Sequence, residues 1–193
     1  GRNDKMRQLL TDWKNKHTIV SLFCDENDQD TFLSGYIMDC DEDWVLIGHI
    51  TPRGEYDGYI LKAIDDIIHI ESQGKYEAKM ELLYSLKNQK PHPAIDRTKD
   101  ITLFHEIINK CEKEKCLTTI EIMQDDACTL TGRIQYRDGM IVIKKIDEYG
   151  EPDGMAYAEE KDVSAIAFDN ADLQDLQLLC EAGSMVNGRI QRI

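Results

Sequence analysis

The sequence predicts a mainly β protein with short helices (an α+β chain), built as two five-stranded antiparallel barrels in tandem, each with a preceding and a following helix. Three observations predict this fold: an internal repeat spaced about 96 residues apart, short alternating strands separated by turn residues, and apolar helical stripes around each strand set. The predicted boundaries are 1–88 for the first repeat, 89–99 for a linker, 100–183 for the second repeat and 184–193 for a basic C-terminal arm.

The repeat is clearest where residues 44–71 are placed over residues 140–167. Eight of these 28 positions are identical, whereas random pairing at average composition gives roughly two. Upstream the register shifts by one residue and then by three more, and both shifts fall in acidic turns where a change of loop length costs little. The identical pairs are Ile47/Ile143, Ile50/Ile146, Gly54/Gly150, Glu55/Glu151, Asp57/Asp153, Gly58/Gly154, Asp66/Asp162 and Ile70/Ile166.

A helix and a strand open each copy. The helices are predicted around Met6–Trp13 and around Asp100–Lys115, the second because apolar residues recur at four-residue spacing. The strand that follows alternates between apolar and polar residues, so one of its faces is expected to point into the core. The residues expected to point inward are Val20 and Leu22 in the first copy and Ile120 and Ile122 in the second.

A glycine lies inside the second strand of each copy, at Gly35 and Gly132, and indicates a sharp bend at a barrel corner. The third strand is predicted at Trp44–Ile50 and Met140–Ile146, and a hairpin loop rich in turn residues follows it. The remaining predicted elements are a fourth strand (59–61 and 155–157), a turn (65–66 and 161–162) and a fifth strand (67–70 and 163–168).

A helix closes each copy. In the second copy Asn170 is predicted to cap this helix and Gly183 to end it. The segment that contains Pro91-His92-Pro93 has little apolar content and is therefore assigned to the linker. The apolar stripes of the two closing helices are Tyr76, Met80 and Leu83, and Leu173, Leu176 and Leu179.

The composition is acidic, with a net charge of −14 that the two halves share evenly. Such a surface opposes phosphate binding unless basic residues cluster locally. No cysteine pair or histidine has metal-ligand spacing, and no nucleophile motif is present, so we predict no metal, cofactor or catalytic site. No apolar run spans a membrane, and the cysteines fit reduced core thiols, so we expect a cytoplasmic protein.

The strand pattern resembles the Sm-like family over residues 6–71 and 100–168. The segment from Gly35 to Asp39 is similar to the family's first motif. The segment from Gly58 to Ile67 is similar to its second, with Lys62 where an Arg is usual. The same pattern also resembles the SH3-like domain of ribosome maturation factors. Both resemblances imply small five-stranded barrels.

The Sm-like resemblance implies assembly edge to edge and RNA binding through two loops. The loop after the second strand is 41–43 in the first copy and 137–139 in the second. The Asn that contacts a base in the family is absent from both loops, and Trp44 and Met140 lie close to its place. Ala158 falls opposite Lys62 in the second copy. The resemblance therefore implies the fold more strongly than RNA binding.

We accordingly predict a non-enzymatic Sm-like binding module that acts as a protein-interaction scaffold, with a protein partner or self-association through barrel strand edges. The alternative is an RNA-binding or ribosome-associated Sm-like protein, disfavoured by the net charge. A third possibility is an enzyme whose site forms only between the barrels. The candidate RNA- or partner-binding residues are Arg53, Lys62, Arg133, Arg137, Lys144, Lys145 and Trp44.

Overall fold

The computed structural model describes residues 2–98, 100–122 and 128–183. The predicted basic arm, 184–193, lies outside the described residues. The chain divides into two compact units between Glu106 and Ile107. The α+β class is confirmed, because the described residues form mainly antiparallel β-strands together with α-helices.

The first unit is one helix, five strands and a closing helix. Its strands are hydrogen-bonded in the order β5-β1-β2-β3-β4, and the pairs of this sheet are antiparallel. The elements are α1 (Arg2–Lys16), β1 (Ile19–Phe23), β2 (Phe32–Cys40), β3 (Trp44–Ile50), β4 (Tyr56–Ala63), a 3-10 turn (Ile64–Asp66), β5 (His69–Ser72) and α2 (Lys75–Leu86).

The core of the first unit lies between α1 and the sheet. Leu10 of α1 packs with a cluster from the strands and the 3-10 turn, which includes Val20 and Leu22 as predicted. Every residue of β1 is buried, not only the alternate ones. The reason is that β1 pairs on both edges while α2 covers its other face, where Ile19 packs with Met80.

The second unit repeats this order. Its strands are arranged as β10-β6-β7-β8-β9, which matches the first unit strand for strand. The elements are α3 (Leu103–Glu114), which begins before the division, β6 (Leu117–Ile122), β7 (Cys128–Arg137), β8 (Met140–Ile146), β9 (Pro152–Glu159), a 3-10 turn (Glu160–Asp162), β10 (Val163–Phe168) and α4 (Ala171–Ala182).

Two glycines occupy equivalent close contacts in the two units. A Cβ on Gly35 would lie 2.1 Å from the carbonyl oxygen of Gly48, and a Cβ on Gly132 would lie 2.1 Å from that of Lys144. Only glycine permits two strands to approach this closely. Both positions in the second strand therefore require a glycine.

The predicted strand bounds differ from the observed ones mainly late in each unit. β3 and β8 begin and end at the predicted residues, whereas β4 and β9 are longer because the hairpin residues also pair. The fifth strand of the first unit starts at His69 rather than Ile67. The Ile67 N–H donates to the Ile64 carbonyl (3.0 Å) and so completes the 3-10 turn. Strand pairing therefore begins after this residue.

The closing helix of the second unit begins and ends as predicted. The Asn170 side chain accepts a hydrogen bond from the Leu173 N–H (2.8 Å), which satisfies a free donor of the first turn. Gly183 follows the helix with a φ of +64°, a conformation that favours glycine. In the part of the chain that the structure describes, no helix combines the length and apolar character needed to cross a membrane.

The segment assigned to the linker has no helix or strand over 91–98. It nevertheless packs on the first unit. His92 is buried and stacks on the Tyr56 ring at a centroid distance of 4.2 Å. The Tyr59 hydroxyl donates to the Pro93 carbonyl, and the Tyr84 hydroxyl donates to the Lys90 carbonyl. We call residues 89–93 the strap.

Candidate interaction surface

Trp44, a candidate for contact with a base or a partner, is buried at the start of β3. It is 8% exposed, and its ring lies 4.9 Å from that of Phe104. The turn before it is held by Asp41, whose carboxylate accepts hydrogen bonds from the Trp44 N–H and the Leu103 N–H, each at 2.8 Å. A ring covered in this way offers no open face on which a base can stack.

Lys62, another of the candidate residues, is also buried. Its Nζ lies 4.0 Å from Oδ2 of Asp66, four residues later in the 3-10 turn. Because a buried ammonium is costly without a carboxylate partner, this proximity compensates the charge locally. The side chain is therefore not presented to a phosphate at the surface.

Arg53 is exposed in the hairpin loop between β3 and β4, but its charge is offset. Its Nε lies 2.7 Å from Oε1 of Glu55, and Lys87 reaches the same oxygen at 3.3 Å. Lys87 also donates to the Arg53 carbonyl (2.7 Å). Hydrogen bonding from Lys87, aided by its charge, lowers the pKa of Glu55, so the carboxylate remains ionised beside both cations.

Two candidates lie together in the second unit. Arg133 of β7 is directly opposite Lys144 of β8, so the two side chains share one face of the sheet. The Arg133 guanidinium donates to Oε1 of Gln177 (3.1 Å). Lys144 is exposed, and no ion pair involves it among the residues that the structure describes.

Arg137 and Lys145 are each engaged by a carboxylate. Arg137 lies 2.7 Å from Oε1 of Glu112 and also donates to the Tyr136 carbonyl (2.6 Å). The Nζ of Lys145 lies 3.6 Å from Oδ2 of Asp153. Exposed pairs of this kind contribute little stability, but they reduce the positive charge available to a polyanion.

The seven predicted residues therefore do not form a single basic site in either unit. In the second unit only Arg133 and Lys144 are direct cross-strand neighbours without a carboxylate between them. The residues whose charge is offset by a nearby carboxylate are Arg53, Lys62, Arg137 and Lys145.

An exposed apolar strip on β8 and β9 lies outside the seven candidate residues selected from the sequence. Met155 and Tyr157 are 47% and 65% exposed, and Val142 of β8 lies directly opposite Tyr157. The signal was present in the sequence, because large residues alternate here with Ala156 and Ala158. On a strand, this pattern places the large side chains on the outer face and the small ones inward. We call Val142, Met155 and Tyr157 the apolar strip.

The equivalent positions of the first unit are covered. Tyr59 and Leu61 of β4 occupy the places of Met155 and Tyr157 in the repeat, and they are 5% and 0% exposed. The strap covers Tyr59. The His92 ring packs edge-on against the Tyr59 ring at a centroid distance of 5.3 Å, and the Pro93 carbonyl accepts a hydrogen bond from the Tyr59 hydroxyl. The two copies thus differ in exposure at the same strand position.

Within the described ranges, no three side chains of His, Cys, Asp or Glu converge to hold a metal ion. Comparison with protein-family models, with curated proteins and with solved structures finds no match to this chain.

Proposed function

We propose that this chain is a non-enzymatic protein-interaction module made of two small Sm-like barrels. Three features support the fold part of the proposal: the strand order common to both units, the helix that precedes each strand set, and the close glycine contact in each second strand. The SH3-like barrel is the alternative with the same strand pattern. None of the six cysteines, all of which lie among the described residues, forms a disulfide, which fits the cytoplasmic setting that we include in the proposal.

The observation that carries the interaction role is the apolar strip. Exposed Met and Tyr side chains are enriched at protein interfaces, where Tyr combines a large apolar surface with a hydroxyl. Among the described residues β9 pairs only with β8, so its outer edge also offers backbone groups to an added strand. We therefore place partner binding, or association with a second copy, on β9.

Electrostatics favours a protein over RNA as the partner. RNA binding draws its affinity from several unopposed cations, and each phosphate contact makes it more dependent on salt. Here four of the candidate cations lie beside carboxylates, and the chain carries a net charge of −14. The juxtaposed Arg133 and Lys144 are the one observation that favours the RNA alternative.

The test is affinity capture with the full chain as bait, with and without nuclease, using Tyr157→Asp and the matched control Tyr149→Asp. Tyr149 is a 44% exposed tyrosine in the hairpin loop of the same unit. We expect nuclease-resistant partners that Tyr157→Asp loses and Tyr149→Asp retains. Loss of all partners after nuclease treatment would contradict the proposal, and equal retention by both variants would refute the placement on β9.

Sedimentation velocity of the purified chain separates a second copy from a foreign partner. If β9 mediates self-association, the wild-type chain should dimerise with rising concentration, while Tyr157→Asp stays monomeric. A monomer at all concentrations, together with captured proteins, assigns the strip to a different polypeptide.

A further inference from the structure

The end of α3 brings two cysteines together. Lys115 has a φ of +54°, the Cys116 N–H donates to the Cys111 carbonyl (2.9 Å), and the Lys115 N–H donates to that of Glu112 (3.2 Å). This pair of hydrogen bonds defines a Schellman motif, in which the side chains at the positions of Cys111 and Cys116 contact each other. A spacing of five residues, unsuitable on a continuous helix face, is thereby made suitable for contact.

The two thiols differ in exposure and in ionisation. Cys111 is 1% exposed, whereas Cys116 is partly exposed. The Cys111 thiol donates a hydrogen bond to Cys116, which lowers the pKa of Cys116 and raises that of Cys111. Burial and the Glu114 carboxylate, 3.7 Å from the Cys116 sulfur, oppose this lowering, and Lys110 assists it. Cys116 is therefore the thiol that ionises first.

Cys116 is also reachable from outside. It lines a cleft of about 480 Å³ between the end of α3, β7 and α4. Lys115 and Arg133 line the same cleft, together with Glu114 and Asp169. A small uncharged oxidant can enter such a space, whereas Cys111 does not line the cleft and is closed to solvent.

We propose that Cys116 is a peroxide-reactive thiol and that Cys111 resolves its oxidised form, so that the two close a reversible disulfide at the end of α3. The geometry supplies the elements of a reactive thiol: an accessible sulfur, a thiol neighbour in contact with it and a cleft that admits the oxidant. This inference is independent of the proposed interaction role.

The chemistry balances with hydrogen peroxide as the oxidant. The Cys116 thiolate attacks one peroxide oxygen, the O–O bond breaks, and hydroxide leaves and takes up the proton lost by Cys116 to form water. The Cys111 sulfur then attacks the sulfur of the resulting sulfenic acid. The S–S bond forms, the S–O bond breaks, and the departing hydroxide combines with the Cys111 proton. Two thiols and one peroxide yield one disulfide and two waters.

The test uses the reduced full chain, treated at neutral pH with a small molar excess of hydrogen peroxide and analysed by intact mass and peptide mapping. We expect the loss of two hydrogens in mass, a peptide cross-link between Cys111 and Cys116, and reversal by dithiothreitol. Cys116→Ser should lose the cross-link, and Cys128→Ser, at an exposed cysteine, should retain it.

A second arm traps the intermediate. In Cys111→Ser the sulfenic acid on Cys116 has no partner, so dimedone should label Cys116 more strongly than in the wild-type chain. Oxidation of Cys128 without a link between Cys111 and Cys116 in the wild-type chain would overturn the proposal. Since that measurement needs no variant, the proposal stays testable even if Cys111→Ser folds poorly.

Discussion

Replacing Gly35 by Ala tests the close approach of β2 and β3. The new Cβ would lie 2.1 Å from the Gly48 carbonyl oxygen and 2.9 Å from the Ile47 side chain. The nearest obstacle is backbone, which cannot move away without separating two hydrogen-bonded strands. Overpacking a core ordinarily costs 1–3 kcal/mol, and a backbone clash belongs at the upper end, so we expect a loss of about 3 kcal/mol.

The assay is urea unfolding followed by circular dichroism, with thermal unfolding as a second measure. A loss of this size lowers the unfolding temperature by about 6–12 °C in a chain of this length. Gly74→Ala is the matched control, because a Cβ there meets nothing closer than 3.6 Å and the φ is −85°. Gly74 caps α2 without a side-chain hydrogen bond, so its replacement should cost less than about 1 kcal/mol.

The duplicated architecture adds a condition to this prediction. Gly132 meets the Lys144 carbonyl at the same 2.1 Å, so Gly132→Ala should lower stability by a comparable amount. If Gly35→Ala unfolds at the same urea concentration as Gly74→Ala, the strands are not held as closely as described. If only one of the two strand glycines is sensitive, the equivalence of the two close contacts is wrong.

Three further predictions concern single side chains. Asn170→Ala should cost about 1 kcal/mol in urea unfolding through loss of its bond to the Leu173 N–H, and Asn170→Asp should restore most of it. Trp44→Ala should lower the free energy of unfolding by about 3 kcal/mol because it removes the ring that packs against Phe104. An unchanged urea midpoint would contradict the burial of Trp44. Burial, with smaller effects of Glu81 and Tyr84, raises the pKa of Tyr36 to about 12, so the folded state keeps a proton that the unfolded state releases near pH 10. Stability should therefore fall as the pH rises from about 10 through 12, and Tyr36→Phe should reduce that fall in pH-dependent unfolding.

The fold was predictable wherever local chemistry decides the structure. The bounds of β3 and β8 follow from apolar-rich segments bounded by turn residues, and the cap at Asn170 follows from one side chain and its own backbone neighbourhood. The start of β5 was not predictable. Whether Ile67 closes a 3-10 turn or begins a strand depends on which backbone groups its neighbours offer, and the residue type does not reveal this.

The candidate residues other than Trp44 were selected by charge, which leaves their surroundings in the fold undetermined. Charge type does not say whether a side chain is buried, and Lys62 is buried beside Asp66. Nor does it say which carboxylates come near in the fold: Arg137 meets Glu112 from a preceding helix. The informative signal was instead the alternation around Tyr157, which concerns the shape of a strand face.

The contrast between Tyr59 and Tyr157 separates a core position from an exposed position in the fourth strand of the two units. Tyr59 is 5% exposed and is tied to the strap through the Pro93 carbonyl, whereas Tyr157 is 65% exposed. Tyr59→Ala should therefore cost about 3 kcal/mol or more, and Tyr157→Ala should stay within about 0.5 kcal/mol of the wild-type chain. Both are measured by urea unfolding of the full chain.

The outcome at Tyr157 decides how its effect on binding is interpreted. A neutral change in stability means that any partner lost by a Tyr157 variant is lost through the surface itself. If Tyr157→Ala destabilises the chain as much as Tyr59→Ala, the ring supports the fold of the second unit. The apolar strip would then be a covered part of the structure rather than a site for a partner, because a side chain that stabilises the isolated chain is already in contact with it.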